Sequence, residues 1–230
     1  MADGTVSGTA GTALTAAFDA ALRPCLEGGT GRHATTCLFT ALSGGPDSTA
    51  LACLARKYAA TQDLRHIALI VDHGIRADSA DEARRVAARM RRLGIEVEIL
   101  SVGEDAPPTG IQAWAREHRY ELMLARVRRA GGCLLLGHHA ADQAETVMMR
   151  LSRGSGLAGL AAMSPVSRRA GVMILRPLLG ISPQALINHC RACDADFESD
   201  PSNLDRRFER VRVRDRLAAL ERDGIDMSGQ

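Results

Sequence analysis

The sequence predicts an α/β fold in which helices cover both faces of a doubly wound, mainly parallel sheet. Short apolar runs with the composition of buried strands lie at 35–42, 66–72, 95–101 and 132–137. Amphipathic helical patterns alternate with them, at 48–60, 79–93, 110–130 and 140–152. This alternation is typical of doubly wound sheets, and 230 residues, 46% of them hydrophobic, suffice for one sizeable core.

The segment ahead of the first strand is predicted to contain one helix, at 12–26. Leu14, Phe18 and Leu22 recur there at the spacing of one helical face. A glycine-rich run at 28–31 then ends the pattern.

The C-terminal third is predicted to be mostly helical. An apolar run at 172–179 precedes a helix that begins near Ser182 and ends before Asp196. The sequence Asp-Pro-Ser-Asn at 200–203 is typical of a turn, and a basic helix is predicted at 205–221.

The overall charge is ordinary, but its distribution is not. Charged residues make up 24% of the chain and the net charge is +2, so bulk charge does not indicate a nucleic-acid partner. Nearly all the positive charge is arginine, concentrated at 84–92 and 206–216. Arginine suits bidentate phosphate contacts, whereas biased composition and solvated helix faces explain these clusters equally well.

The cysteines and the N-terminus indicate the cytoplasm. Cys37, Cys53 and Cys133 lie in apolar surroundings and are predicted to be small core residues. Cys190 and Cys193 form a C-x-x-C pair inside a predicted helix, and we interpret it as incidental because no second pair accompanies it. No secretory signal or transmembrane stretch is evident, so we expect a cytoplasmic protein with reduced thiols.

One turn is the most informative part of the chain. Residues 43–48 read Ser-Gly-Gly-Pro-Asp-Ser, between a buried-type strand and a helical pattern. Such a turn exposes backbone N–H groups at the positive end of a helix, where a phosphate binds. Gly44 and Gly45 permit positive φ and close approach of an oxyanion. The hydroxyls of Ser43 and Ser48 add donors.

Asp47 predicts a metal ion at the same turn. Its carboxylate would repel a bare phosphate, which implies a bridging Mg²⁺. The simpler alternative is a glycine-rich turn in which Asp47 or Ser48 caps the helix. The full hexapeptide directly after a strand favours nucleotide binding, although it is neither a Walker A loop nor a G-x-G-x-x-G fingerprint.

Two further strand ends carry polar residues. Asp72 and His73 follow the second predicted strand, and His138 and His139 follow the fourth. Ligands bind beyond the carboxyl ends of the strands in such sheets, so these residues and the turn are predicted to share one site. Adjacent histidines at a strand end point to opposite faces, which argues against zinc there.

Seven further stretches accompany the turn, in a recognisable order. They are 71–76 (VDHGIR), 79–83 (SADEA), 111–120 (IQAWAREHRY), 136–146 (LGHHAADQAET), 153–160 (RGSG with GL), 176–179 (RPLL) and 200–203 (DPSN) with Arg207. Together, over residues 35–217, they resemble the tRNA(Ile)-lysidine synthase family of the N-type ATP pyrophosphatases. The resemblance implies the HUP-like sheet of a PP-loop ATPase.

The resemblance also implies a reaction and its partners. ATP with Mg²⁺ would adenylate the C2 oxygen of the wobble cytidine in a tRNA(Ile) with a CAU anticodon, releasing pyrophosphate. The amine of free L-lysine would then displace AMP and give lysidine. No membrane is implied, and the choice between a monomer and a homodimer stays open.

The same resemblance implies a short form of the family, without the usual C-terminal domains. It divides the chain into an N-terminal helix and loop at 1–33, a PP-loop ATP pyrophosphatase domain at 34–160, and the remainder of the same catalytic unit at 161–230.

The resemblance assigns roles to residues of this sequence. Those implied to contact ATP are Ser43, Gly44, Gly45, Pro46, Asp47, Ser48, Asp72 and His73, with Asp47 also holding Mg²⁺ through the pyrophosphate. Those implied to be catalytic are Asp47, Arg116, His138, His139, Asp142 and Glu145. Arg116 shares a helical face with Arg119, and the resemblance favours Arg116 over a solvated arginine.

Several of these residues have a simpler interpretation. Asp142 and Glu145 lie three apart, where two carboxylates suit the ammonium groups of lysine, but a helix cap and a dipole partner are the alternatives. His73 and Arg76 either contact nucleotide or tRNA or cap the following helix. Arg153 either contacts phosphate or RNA or closes a helix C-terminus.

Two other functions stay open at this point. One is an N-type ATP pyrophosphatase that acts on a different nucleophile, although the sequence has neither a thiolase-type cysteine set nor an N-terminal glutaminase nucleophile. The other is a nucleotide-binding module without turnover. The combination of Asp47, Arg116 and Asp142 favours catalysis, because ATP binding alone does not require it.

Overall fold

The computed structural model describes residues 6–27, 35–154, 162–198 and 209–223. The helices within these ranges are α1 (Val6–Glu27), α2 (Pro46–Thr61), α3 (Ser79–Arg92), α4 (Ile111–Ala130), α5 (Ala140–Ser152), α6 (Pro183–Ala192) and α7 (Glu209–Arg222). The strands are β1 (Cys37–Ala41), β2 (Arg65–Asp72), β3 (Glu96–Ser101), β4 (Cys133–Leu135), β5 (Val166–Arg169) and β6 (Val172–Leu175).

The strands form one sheet in the order β3-β2-β1-β4-β6-β5. Neighbours are parallel except β5 and β6, which form an antiparallel hairpin at one edge. The winding reverses between β1 and β4, so a crevice opens beyond their carboxyl ends, where such sheets bind ligands. The predicted doubly wound, mainly parallel sheet is confirmed.

Alternate residues of the central strands face two separate apolar layers. Leu38 of β1 packs with α1, α2, α3 and α6, whereas its neighbour Phe39 packs with α4. Both side chains are fully buried. Because successive strand residues point to opposite faces, a sheet covered on both sides needs apolar residues at both. This requirement explains why the strands appear in the sequence as continuous apolar runs.

The structure corrects several predicted boundaries. Helix α1 begins at Val6 rather than at 12, because its first turns consist of small residues that give no hydrophobic periodicity. The apolar run at 172–179 is a strand only over Val172–Leu175, and a turn that starts at Pro177 follows it. Helix α6 ends at Ala192, so Cys193 is its C-cap rather than a residue within it.

Strand β5 was not predicted at all. Its residues Ser167, Arg168 and Arg169 are polar, and only Val166 is a typical strand former, itself exposed. Backbone pairing with β6 holds the strand at the sheet edge, where charged residues are common. Two strands of the C-terminal third therefore belong to the same sheet as β1.

The cysteines have the burial that their apolar surroundings predict. Cys37, Cys53 and Cys133 are buried, as predicted, and all six cysteines are free thiols.

Among the described helices, none combines the length and apolar character that crossing a membrane requires. The predicted turn at 200–203 and the start of the predicted basic helix lie outside the described residues.

Candidate active site

A cavity of about 650 Å³ opens at the carboxyl edge of the sheet, beyond β1, β2 and β4. The predicted site residues that line it are Ser43, Gly45, Asp47, Ser48, Asp72, His73, Arg116 and His138. The other predicted site residues do not line it; they are Gly44, Pro46, His139, Asp142 and Glu145. Side chains from three separate strand ends thus meet in one cavity.

The turn at 43–48 needs glycine at its second position. Gly44 has a φ of +89°, in the left-handed region that L side chains rarely adopt. A Cβ built there would lie only 2.9 Å from Cγ2 of Val86 on α3. Both the backbone conformation and the available space therefore exclude a side chain at this residue.

The turn leads directly into the N-terminus of α2. Gly45 is the N-cap, rather than Asp47 or Ser48, and Pro46 occupies the first helical position, where its missing N–H costs no hydrogen bond. The first N–H groups of a helix have no partner within it. This end of α2 therefore offers donors at the positive end of its dipole.

The hydroxyl of Ser48 braces the turn from within. It accepts a hydrogen bond from the N–H of Ser43 at 3.2 Å and donates one to the carbonyl of Gly45 at 3.0 Å. The Ser43 hydroxyl lies 3.1 Å from the Ser48 hydroxyl. Ser48 is buried whereas Ser43 is exposed, so Ser43 is the more accessible hydroxyl for a ligand.

Gly137 brings the end of β4 against the turn. A Cβ there would lie 3.3 Å from the backbone carbon of Asp47 and 3.4 Å from the nitrogen of Ser48, closer than ordinary side-chain contacts. The glycine that precedes the two histidines thus permits a close approach between strand and turn. The sequence signal was a glycine directly before the polar pair, to which we had assigned no role.

His139 connects the turn to α5. Its buried ring places Nε2 3.5 Å from Oδ2 of Asp47 and Nδ1 3.6 Å from Oδ2 of Asp142. Burial lowers the pKa of His139, but the hydrogen bond to Asp47 and the charges of Asp142 and Asp47 outweigh it and raise the pKa overall. His138, by contrast, lines the cavity.

The two carboxylates of α5 already have partners. Oδ2 of Asp142 accepts a hydrogen bond from the N–H of His139 at 3.0 Å, which closes the start of the helix as a cap does. Glu145 is fully buried, and its Oε1 lies 2.7 Å from Nε of Arg214 on α7. The sequence places Arg214 only within the basic cluster at 206–216, because nothing local links it to Glu145.

The end of β2 forms the opposite wall. Oδ1 of Asp72 accepts from the N–H of Gly74 at 3.0 Å and from the hydroxyl of Ser79 at 2.8 Å, which shapes the turn into α3. Arg119 donates to Nε2 of His73 at 3.4 Å. Burial lowers the pKa of His73, and the charge of Arg119 lowers it further, which favours a neutral ring.

Arginines of α4 supply positive charge to the cavity. Arg116 and Arg119 both line it, and the guanidinium of Arg116 lies 5.5 Å from the centroid of the Tyr120 ring. Arg76 lies at the same wall and is paired with Glu82 and Asp78. Of these three arginines, Arg116 and Arg119 are thus the better placed to meet an anion.

Asp47 offers the cavity a carboxylate, the kind of oxygen ligand that hard cations prefer. Its carboxylate lines the cavity with 35% of the side chain exposed, beside the anion-binding end of α2. In the ranges that the structure covers, no group of three or more histidine, cysteine or carboxylate side chains is arranged to hold a metal ion.

Three further residues of the predicted motifs have structural contacts: Arg153 and Gly154 end α5, and Cys190 contacts the turn. Arg153 is the C-cap of α5, and Gly154 follows it with a φ of +71°, the conformation that ends many helices. Cys190 donates from Sγ to the carbonyl of Pro46 at 3.3 Å, so it contacts the turn from behind. The motif residues at 155–160 and 200–203 and Arg207 lie outside the described residues.

Comparisons with known proteins show which family this chain belongs to. Residues 16–221 match the PP-loop domain family. The chain is 44% identical over 192 residues to the tRNA(Ile)-lysidine synthase of Bradyrhizobium sp. strain BTAi1, covering 82% of this chain and 54% of that protein. It is 42% identical over 196 residues to the enzyme of the same name from Rhodopseudomonas palustris, covering 84% and 57%. The chain spans about half the length of the curated relatives it matches.

Solved structures show the same fold. The U34-tRNA thiolase NcsA from Methanococcus maripaludis superposes with a TM-score of 0.72 at 20% identity, over 93% of this chain and 74% of that one. The NMN synthetase from Francisella tularensis gives a TM-score of 0.51 at 15% identity, over 94% and 87%. At these identities the likeness is one of architecture alone.

Proposed function

The chain belongs to the PP-loop domain family, and from that premise we propose that it catalyses ATP-dependent joining of L-lysine to the wobble cytidine of tRNA(Ile). One observation carries the proposal: the phosphate-type turn at 43–48 faces Arg116 and His138 across a single cavity. The similarity to proteins named tRNA(Ile)-lysidine synthase supports the choice of substrates.

We assign the pyrophosphate part of ATP to the turn and the start of α2. The N–H groups there, with the Ser43 hydroxyl, would donate to the departing phosphates, and Arg116 would face the α-phosphate or the base. Fixed donors aimed at developing charge are the main source of rate acceleration in such transfers. A Mg²⁺ held through Asp47 would add charge neutralisation of the leaving pyrophosphate.

We assign the lysine amine to the side of the cavity that His138 lines, next to helix α5, which carries Asp142 and Glu145. The assignment is supported by Glu145, which is fully buried and whose carboxylate already binds a cationic side chain, with Nε of Arg214 2.7 Å from its Oε1. A lysine ammonium would share that carboxylate or displace the guanidinium. His139 would keep Asp47 and Asp142 in place between the two halves of the site.

The proposed tRNA contacts rest on the exposed arginines near the cavity mouth. Arg116 and Arg119 line the cavity and are exposed, so we assign them to contacts with the incoming base and its phosphates. The free thiols are consistent with a reducing compartment, and we propose that the reaction occurs in the cytoplasm.

Mass spectrometry of tRNA(Ile) tests the proposal directly. After incubation with the protein, ATP–Mg²⁺ and L-lysine, we expect one cytidine to gain the mass of lysine less one water. A transcript with uridine in place of the wobble cytidine is the control and should stay unmodified. Pyrophosphate release that needs neither lysine nor tRNA would favour another nucleophile, and ATP binding without any release would favour a binding module.

A further inference from the structure

The segment after α6 holds the turn at 43–48 from outside the cavity. The N–H of Glu198 donates to the carbonyl of Gly44 at 2.8 Å. The Glu198 side chain is in turn bound by Arg89 of α3, with Nη2 and Oε1 2.6 Å apart. Both side chains are largely covered, at 20% and 28% exposure. The segment after α6 therefore links this carbonyl of the turn to helix α3.

This contact fixes the direction of a backbone donor. In a trans peptide the C=O of one residue and the N–H of the next point in opposite directions, and the described chain has no cis peptide bonds. Because the Gly44 carbonyl is bound to the N–H of Glu198, the N–H of Gly45 points in the opposite direction. Gly45 itself lines the cavity. A glycine pair is free to flip this peptide, and a flip would present a carbonyl oxygen where a donor is needed.

Arg89 also neutralises a charge beside the turn. Oε2 of Glu198 lies 3.7 Å from the position that a Cβ would take on Gly44. A carboxylate this close to an anion-binding turn would repel phosphate if it had no counterion. The ion pair therefore supports the turn in two ways. It holds the segment that binds Gly44, and it neutralises the charge of Glu198.

We propose that Glu198 and Arg89 are positioning residues that keep the turn at 43–48 in the conformation that accepts phosphate. The role rests on the proposed function in one respect, the assignment of the ATP phosphates to this turn. It predicts an effect confined to ligands that place a pyrophosphate there.

Calorimetric binding of ATP–Mg²⁺, pyrophosphate–Mg²⁺ and AMP tests this role. Arg89→Gln, which leaves Glu198 without a counterion, should weaken ATP and pyrophosphate about twenty-fold, and Glu198→Gln about five-fold. AMP affinity should change less than about two-fold in both, because AMP brings no pyrophosphate. Asp81→Asn, which breaks the exposed Arg84–Asp81 pair on the same helix, is the matched control and should change neither.

The double variant Arg89→Gln/Glu198→Gln separates positioning from general damage. It removes the uncompensated carboxylate, so it should bind ATP more tightly than Arg89→Gln alone. A double variant that binds ATP most weakly, or equal losses for AMP and ATP, would overturn the positioning role alone. If the wild-type protein binds neither ATP nor pyrophosphate, the proposed function and the positioning role both fail.

Discussion

The imidazole of His139 lies between two carboxylates, with Nε2 3.5 Å from Asp47 and Nδ1 3.6 Å from Asp142. Asp47 belongs to the phosphate-type turn and Asp142 to the first turn of α5, so one buried ring joins two halves of the candidate site. When it is protonated, the ring places a positive charge between these two carboxylates. Its protonation therefore changes the local charge.

We predict that His139 titrates above its ordinary pKa of 6.5, since the two carboxylates outweigh the effect of burial. The folded protein binds this proton more tightly than the unfolded chain does. The interaction thus stabilises the fold below pH 6.5, and that stabilisation is lost as the pH rises through the raised pKa. An NMR titration, with His139→Asn to assign the resonance, measures the value; a pKa at or below 6.5 would contradict the arrangement.

Asp47→Ala is predicted to abolish pyrophosphate release while the protein stays folded. The carboxylate is 35% exposed, so its loss removes a Mg²⁺ ligand without opening a core cavity. We expect the rate to fall at least about 100-fold, typical for loss of a main electrostatic contribution. A pyrophosphate assay and a thermal melt measure the two quantities. Asp78→Asn, at an exposed carboxylate outside the cavity, is the control, and unchanged turnover in Asp47→Ala would remove Asp47 from the mechanism.

Gly44→Ala is predicted to weaken both the fold and nucleotide binding. Its φ of +89° would cost about 1–2 kcal/mol with a side chain, before the clash with Val86 at 2.9 Å is added. Gly110 is the matched control, because its φ of +69° is also left-handed but a Cβ there meets nothing within 4 Å. Urea unfolding should show a larger loss for Gly44→Ala than for Gly110→Ala, and only Gly44→Ala should weaken ATP binding. Equal losses would show that space beside Val86 does not matter.

The sequence predicts the turn and the strand ends well because their signals are local. A buried run, two glycines and an acidic helix start lie within residues 38–48, and sheet topology then brings Asp72 and His138 to the same edge. The pairs that brace the site have no such signal. Glu198 reaches Gly44, and Arg214 reaches Glu145, only because α6 packs against α2 and α7 packs against α5. The polar edge strand β5 was missed for a related reason, since backbone pairing rather than its side chains holds it.

Glu145 and Arg214 form one ion pair, but substitutions of the two residues should have different effects on stability and on the KM for lysine. Glu145→Gln leaves Arg214, which is 49% exposed, free to reach water, so stability should change little while the KM for lysine rises more than the KM for ATP. Arg214→Gln instead removes the 2.7 Å partner of a carboxylate that is only 1% exposed, and breaking a buried pair this way costs about 3 kcal/mol. Urea unfolding and steady-state kinetics with lysine and ATP varied in turn distinguish the two. If Glu145→Gln raises both KM values equally, Glu145 has no specific role toward lysine and serves only as the buried anchor of α7.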